Sequence, residues 1–144
     1  RRSSDLAGID AVDITSTRYV RDGVRYYGFP FIPYIEGEWN GECFPTQMQK
    51  EIDHLQEELE KGIDVLVAHA PIANILDCEG VNEHWGISHM ANMFSYKLDE
   101  KNWPKAYLCG HVHANHGIQH LGEMLISNAA TTVHLVEIDV KRQT

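Results

Sequence analysis

The pattern of apolar and polar residues predicts an amphipathic helix from Thr46 to Gly62. Four apolar residues recur at spacings of four, three and four, which puts them on one helix face. They are Met48, Ile52, Leu55 and Leu59. Thr46 with Gln49 three residues later matches a capping box, and Gly62 matches a C-terminal cap. A second helix is expected over 88–98, where Met and Phe residues at helical spacing predict core packing.

Short apolar runs predict the strands. Residues 63–68 form a β-branched run typical of a strand buried on both faces, and residues 106–109 form another. Asp22-Gly23 between two β-rich runs predicts a hairpin over 18–31. Further strands are expected from weaker patterns: a strand over 9–14, a hairpin over 118–127 and a final alternating strand over 131–140. Residues 33–44 and 71–86 are expected to be loops, the second forming the rim of a substrate pocket.

Three histidines follow the two predicted inner strands. His69 comes directly after the first strand, and His111 and His113 follow the second in the sequence Gly110-His111-Val112-His113. In an extended backbone, residues two apart share a face, so both imidazoles can reach one pocket. Gly110 lacks a Cβ, so the backbone there can either turn sharply or allow another group to approach closely. Such a pair also occurs as two solvent-facing histidines, but His69 at a neighbouring strand end favours a metal site.

The charge and the cysteines restrict the partners. The formal net charge of −9 over 144 residues opposes binding to a nucleic-acid backbone, so we expect no stable nucleic-acid partner. A small phosphoester held by metal ions remains compatible with the negative charge of the chain, because the ions offset the local field.

The three cysteines include no Cys-x-x-Cys pair, and we expect Cys109 to be a buried apolar residue. No apolar run approaches the roughly 20 residues that span a bilayer, so a cytoplasmic protein without a membrane partner is expected.

Four stretches together resemble the C-terminal half of the calcineurin-like metallophosphoesterases, with spacing most similar to the small class III-type phosphodiesterases. They are Val-Leu-Val-Ala-His-Ala-Pro at 65–71, Ile-Leu-Asp at 75–77, Leu-Cys-Gly-His-Val-His at 108–113 and Ile-Ser-Asn-Ala-Ala at 126–130. The match runs from about Gly23 to the end of the chain. The resemblance implies a two-metal centre of Mn, Fe or Zn, with His69 and His111 on the second metal and His113 on the first.

Two further residues are candidates for the catalytic site. Asp77 matches the Ile-Leu-Asp pattern of these relatives, and His116 lies in the polar turn after His113, within possible reach of a substrate phosphate. The alternative for both is a residue of a solvated loop, which is also the expectation for Glu83 and His84. On the predicted helices, His54 and His89 are expected at the surface.

The family's N-terminal motifs, Asp-x-His, Gly-Asp and Gly-Asn-His, do not occur in this sequence. In the family they supply the bridging carboxylate, the remaining ligands and the histidine that assists the leaving group. We therefore expect a fragment, a processed product or one half of a split protein, inactive or very weakly active alone. The missing half or a second copy would be its partner.

The expected fold is α/β: residues 1–144 form the C-terminal portion of one metallophosphoesterase domain, part of a two-sheet sandwich flanked by helices. The expected function is metal-dependent hydrolysis of a phosphodiester or phosphomonoester. Two alternatives stay open. One is a non-catalytic protein-binding module of the same fold, and the other is a single structural zinc on His69, His111 and His113.

Overall fold

The computed structural model describes residues 10–140 and contains a six-stranded, mostly parallel sheet. In the order β1-β2-β5-β8-β10-β9, the four inner strands are parallel, and the two edge strands are antiparallel to their neighbours. Two small two-stranded sheets, β3-β4 and β6-β7, lie outside it. The strands are β1 (Arg18–Arg21), β2 (Val24–Phe29), β3 (Ile32–Pro33), β4 (Glu42–Cys43), β5 (Val65–Ala68), β6 (Cys78–Gly80), β7 (Glu83–His84), β8 (Ala106–Cys109), β9 (Gly117–Leu121) and β10 (Met124–Asn128).

The first helix, α1 (Pro45–Lys61), confirms the predicted amphipathic helix, and its four stripe residues are buried. The predicted capping box is wrong. Pro45, with its fixed φ and missing N–H, suits the first helical position, so the helix begins there and Phe44 is the N-cap. The phenyl ring of Phe44 has no acceptor and makes no side-chain cap bond. The C-cap is Gly62, as predicted, with φ of 107° and its N–H donated to the Leu59 carbonyl.

The second predicted helix is confirmed over 88–97, although only its first half is α-helical. α2 (Ser88–Asn92) passes into one π-helical turn, Met93–Lys97, in which the Leu98 N–H bonds to the Met93 carbonyl. The wider turn leaves Met93 and Phe94 both buried, so the expected core packing is confirmed. Two 3₁₀ turns complete the helices, Glu100–Asn102 and His113–Asn115.

Alternate residues of the inner strands form the core together with the helices. They are Tyr27, Phe29, Leu66, Ala68, Tyr107, Cys109, Met124 and Ile126. Burial raises the pKa of the Cys109 thiol to about 12, as suits a buried apolar cysteine.

The opposite face of the sheet is covered less completely. Val67 on β5 is 37% exposed, so the prediction that this strand is buried on both faces is wrong at that position.

The predicted hairpins are confirmed as β1-β2 and β9-β10, and the first turns at Asp22 and Gly23, both with positive φ. Within the predicted loops, β3 and β4 pair over two residues each, and β6 and β7 form a short hairpin. The predicted strand over 9–14 begins outside the described residues. Its described part contains no strand, although Thr15 forms an isolated bridge with Gly28.

The predicted strand over 131–140 is not formed. Exposure alternates along much of this segment, as in a strand, and Val133 and Leu135 are 90% and 99% exposed. A strand needs a neighbour for its hydrogen-bond ladder, and the described part of the chain supplies none beside these residues. The alternating sequence pattern of a strand is thus present, but no neighbouring strand pairs with it.

Among the helices over residues 10–140, none has both the length and the apolar character needed to span a membrane.

Candidate metal centre

Two adjacent parallel strands bring His69 and His111 together. His69 follows β5, and His111 follows β8 with one residue between. The His69 N–H bonds to the Phe29 carbonyl at 3.0 Å, and the Gly110 N–H bonds to the His69 carbonyl at 3.1 Å. These bonds fix the backbone at the carboxyl edge of the sheet, where α/β folds place their ligands.

The turn after β8 is made by His111 itself. Its φ is 71°, in the left-handed region, whereas Gly110 does not have a positive φ. Of the two possibilities at Gly110, a sharp turn or the close approach of another group, the left-handed turn lies one residue later, at His111. A non-glycine residue in this conformation carries backbone strain, which tends to occur at functional sites.

The ring nitrogens of these two histidines lie close enough to share one ion. His69 Nε2 and His111 Nδ1 are 3.2 Å apart. Two imidazoles on one tetrahedral zinc, with bonds of about 2.0 to 2.1 Å, have their nitrogens about 3.3 Å apart. The same separation suits a hydrogen bond when one of the two nitrogens carries a proton. The pair therefore fits either a shared metal ion or a neutral hydrogen-bonded pair.

Partial burial favours the neutral, metal-binding form of both rings. Partial burial lowers the pKa of His69, although much of the residue is exposed to solvent. It also lowers the pKa of His111, as do His69 and His113, while the Glu79 carboxylate acts in the opposite direction. A lowered histidine pKa means a larger neutral fraction at pH 7, and neutral imidazole is the ligand form.

The third predicted ligand, His113, lies apart from this pair. It begins the exposed 3₁₀ turn His113–Asn115. Within residues 10–140, one group of three side chains has its ligand atoms all within 4.8 Å, and it is Asp77, Cys78 and His84. His113 nevertheless lines the same cavity as His111, of about 240 Å³. A division of the three histidines between two metals remains a prediction.

Glu79 lines the cavity of His111 and His113, although it is not among the site residues predicted from the sequence. Its Oε2 accepts a long hydrogen bond, 3.5 Å, from the N–H of Ala114, next to His113. The available signal was a carboxylate in the predicted rim loop, two residues after Asp77.

His116 is exposed, and its Nδ1 lies 3.4 Å from the His113 carbonyl. It is absent from the linings of the two cavities beside His111, which measure about 460 and 240 Å³. The structure therefore does not bring His116 to the histidine pair.

Asp77 is buried and holds its own loop together. Its Oδ2 accepts the N–H groups of Asn74 and Gly86, at 2.8 and 3.1 Å, and its Oδ1 lies 2.9 Å from His84 Nδ1. His84 is exposed to solvent as expected, but it lies in the short strand β7 and its ring is paired with Asp77. Glu83 and His54 are exposed, as expected, whereas His89 is partly buried.

Asn128 at the end of β10 fixes the loops around the site. It is fully buried, and its Nδ2 lies within hydrogen-bond distance of the carbonyls of Leu76, Val112 and Asn115, at 3.0, 2.9 and 3.2 Å. The first carbonyl belongs to the loop after β5 and the other two to the loop after β8. One amide thus joins the two loops that follow the histidine-bearing strands.

Aromatic side chains flank His111. The rings of Trp39 and Trp85 lie 6.5 and 6.4 Å from the His111 ring. The loop that carries Trp39 is held by Glu42, whose carboxylate accepts the N–H groups of Ile35, Gly37 and Trp39. His111 is therefore reached through a partly apolar opening.

Comparisons with known proteins find distant relatives. The chain is 28% identical over 116 residues to the UPF0046 protein C25E10.12 of Caenorhabditis elegans, covering 81% of this chain and 40% of that protein. It is 28% identical over 109 residues to the UPF0046 protein K07C11.7 of the same organism, covering 76% and 34%. No protein-family profile matches. One solved crystal structure has a TM-score of 0.56 at 15% identity, over 81% of this chain and 45% of that one, which shows similarity of fold alone. The chain spans less than half the length of each.

Proposed function

We propose that this chain carries the C-terminal metal ligands of a phosphoesterase that hydrolyses a phosphodiester or phosphomonoester with two divalent ions. The observation that carries the proposal is the 3.2 Å separation of His69 Nε2 and His111 Nδ1 at adjacent strand ends. Mn, Fe and Zn all accept imidazole together with carboxylate ligands. The distant similarity to much longer proteins is compatible with a chain that carries only part of such a site.

In this proposal His69 and His111 hold one ion, and His113 contributes to the other. The two ions, when bound, would clamp the phosphate, generate hydroxide from water and offset the charge of the transition state. The chain's own residues orient the ligands: the strand ladder fixes the His69 backbone, and Asn128 joins the two loops. Remaining ligands would come from outside the described residues.

The proposal extends to the fold and its partner. We infer that the sheet is one layer of a two-sheet sandwich and that segment 131–140 pairs with the second layer. Support comes from the exposure of Val67, Val133 and Leu135. The second layer would belong to the missing half or to a second copy.

Three cysteines without a disulfide suit a cytoplasmic location.

Binding of inorganic phosphate in the presence of Mn²⁺ tests the function without requiring turnover. Titration calorimetry on the whole chain is expected to detect phosphate binding that requires Mn²⁺ and is at least tenfold weaker in His69→Gln. His120→Gln, an exposed histidine on edge strand β9, is the matched control and should bind as the unchanged chain does. Phosphate binding that ignores Mn²⁺ or His69 would contradict the proposal.

Two alternative functions would give different results in the titration with Mn²⁺ and phosphate. A non-catalytic protein-binding module, which the exposed Val133 and Leu135 favour, would bind neither Mn²⁺ nor phosphate. A single structural zinc would bind one metal per chain without affinity for phosphate. Hydrolysis of a chromogenic phosphodiester by the chain alone is expected to be negligible, since the bridging carboxylates would lie elsewhere.

A further inference from the structure

A second group of possible ligands lies on the loop that forms one side of the opening. Asp77, Cys78 and His84, here called the rim cluster, have one ligand atom each within 4.8 Å of the others. His84 Nδ1 lies 2.9 Å from Asp77 Oδ1 and 3.5 Å from Cys78 Sγ. One nitrogen thus faces both a carboxylate and a thiol.

Local structure fixes these three side chains independently of one another. Cys78 and His84 are directly opposite in the β6-β7 hairpin, so their side chains lie on the same face. The Asp77 carboxylate is oriented by two backbone N–H groups on Oδ2, which directs Oδ1 to His84. The Cys78 N–H donates to Asn115 Oδ1 at 2.9 Å, which ties the hairpin to the turn after His113. The cluster is therefore held before any ligand arrives.

The charge of Asp77 also suggests a cation. This carboxylate is 1% exposed, and among the described residues its ion-pair partner is His84, a group that is charged only when protonated. A buried carboxylate is costly unless it is paired or coordinates a metal. A bound cation would provide a compensating charge that does not depend on His84.

We propose that the rim cluster binds one zinc-class ion through Cys78 Sγ, His84 Nδ1 and Asp77 Oδ1. In a tetrahedral zinc site, neighbouring ligand atoms lie about 3.3 to 3.6 Å apart, and the observed 2.9 and 3.5 Å differ from this by a few tenths of an ångström. On binding, the sulfur–metal bond replaces the S–H bond, and the thiol proton passes to solvent. Half of the His84 side chain is exposed, which leaves a route for the ion and for a water as fourth ligand.

The ion would close the rim loop. Trp85 follows His84 directly and flanks His111, so a metal on the hairpin would fix one wall of the opening. The proposal does not rest on the proposed function, because neither His69 nor His111 is a ligand in it.

Cobalt titration of the whole chain tests this site, because only a thiolate ligand gives a near-ultraviolet sulfur-to-cobalt charge-transfer band. The unchanged chain is expected to show the band at one cobalt per chain. Cys78→Ser and His84→Asn should abolish it and weaken zinc binding at least tenfold in a chelator competition. Cys43→Ser is the matched control and should retain the band, since Cys43 is buried elsewhere in the core. Circular dichroism would establish that each variant is folded.

A His69→Gln/His111→Gln double variant separates this site from the histidine pair. It should keep the charge-transfer band while losing Mn²⁺-dependent phosphate binding. No band in the unchanged chain, a band that survives Cys78→Ser, or a band lost in the double variant would overturn the proposal. The first two of these results do not bear on whether His69 and His111 share an ion.

Discussion

The polar groups at the two ends of the inner strands differ in how far they are paired within the protein. At the amino end, the Asp64 carboxylate is 2% exposed and accepts bonds from the Arg25 N–H, Nε and Nη2, at 2.8, 3.1 and 3.1 Å. At the carboxyl end, the His69 and His111 nitrogens face each other at 3.2 Å. The first pair neutralises itself within the protein, whereas the second keeps its capacity to bind a ligand. A charge pair that is satisfied within the protein has no atoms left for a ligand, whereas ligand atoms that remain available indicate a candidate functional site.

Cavity size does not distinguish the two ends. The cavity beside Arg25 and Asp64 measures about 540 Å³, more than the 460 and 240 Å³ of the two beside His111. The larger cavity is lined by a charge pair that is already satisfied. The candidate functional site is therefore identified by side-chain atoms that are free to bind a metal ion, and not by cavity volume.

The largest effect on stability is expected from breaking the amino-end pair. Asp64→Asn should lower the free energy of unfolding by about 2 to 3 kcal/mol, because Arg25, itself partly buried, loses its counter-charge. Urea unfolding measures this. Asp22→Asn, in an exposed turn, is the control and should change stability by less than about 0.5 kcal/mol. Equal losses for the two variants would remove the contrast between the two ends.

A smaller loss is expected from Asn128→Ala at the carboxyl end. Three buried or half-buried carbonyls would lose a donor, which should cost about 2 kcal/mol. The two loops would also separate, so Mn²⁺ affinity should fall together with stability. Asn92→Ala, at an exposed helix end, is the control and should change neither. A stability loss without any change in Mn²⁺ affinity would mean that Asn128 does not position the histidines.

The smallest effect is a dependence on pH that only the histidine end should show. Burial lowers the pKa of His69 and His111 below 6.5, so the folded state binds fewer protons than the unfolded state. Their contribution to stability is therefore complete above about pH 6.5 and declines as the pH falls towards the folded pKa values. The urea concentration at the midpoint of unfolding should fall between about pH 7.5 and pH 5 in the unchanged chain. This fall should be smaller in the His69→Gln/His111→Gln double variant. An unchanged slope would contradict the lowered pKa values of the two rings.

Local patterns in the sequence carry a large part of this fold. The spacing of Met48, Ile52, Leu55 and Leu59 predicts α1, and short apolar runs predict β5 and β8. Because parallel strands end at the same edge, the proximity of His69 and His111 also follows from their positions after those strands. These inferences need only periodicity and strand direction.

What the sequence does not predict depends on contacts between distant residues. Asn128 contacts Leu76 across 52 positions, and no local pattern marks it as the residue that joins two loops. The alternation over 131–140 indicates a strand but cannot show whether a neighbour is present. The Thr46 capping box fails for a local reason, since Pro45 begins the helix one residue earlier. His113 shares a motif with His111 yet lies apart from the pair.

The central claim is that His69 and His111 hold the same metal ion. X-ray absorption on the cobalt-loaded Cys78→Ser chain tests it most directly, because that variant removes the thiolate of the rim cluster and the scattering counts imidazole ligands. We predict at least two imidazoles on the ion, and one fewer in the same chain carrying His111→Gln. An imidazole count that does not change when His111 is replaced would contradict the claim.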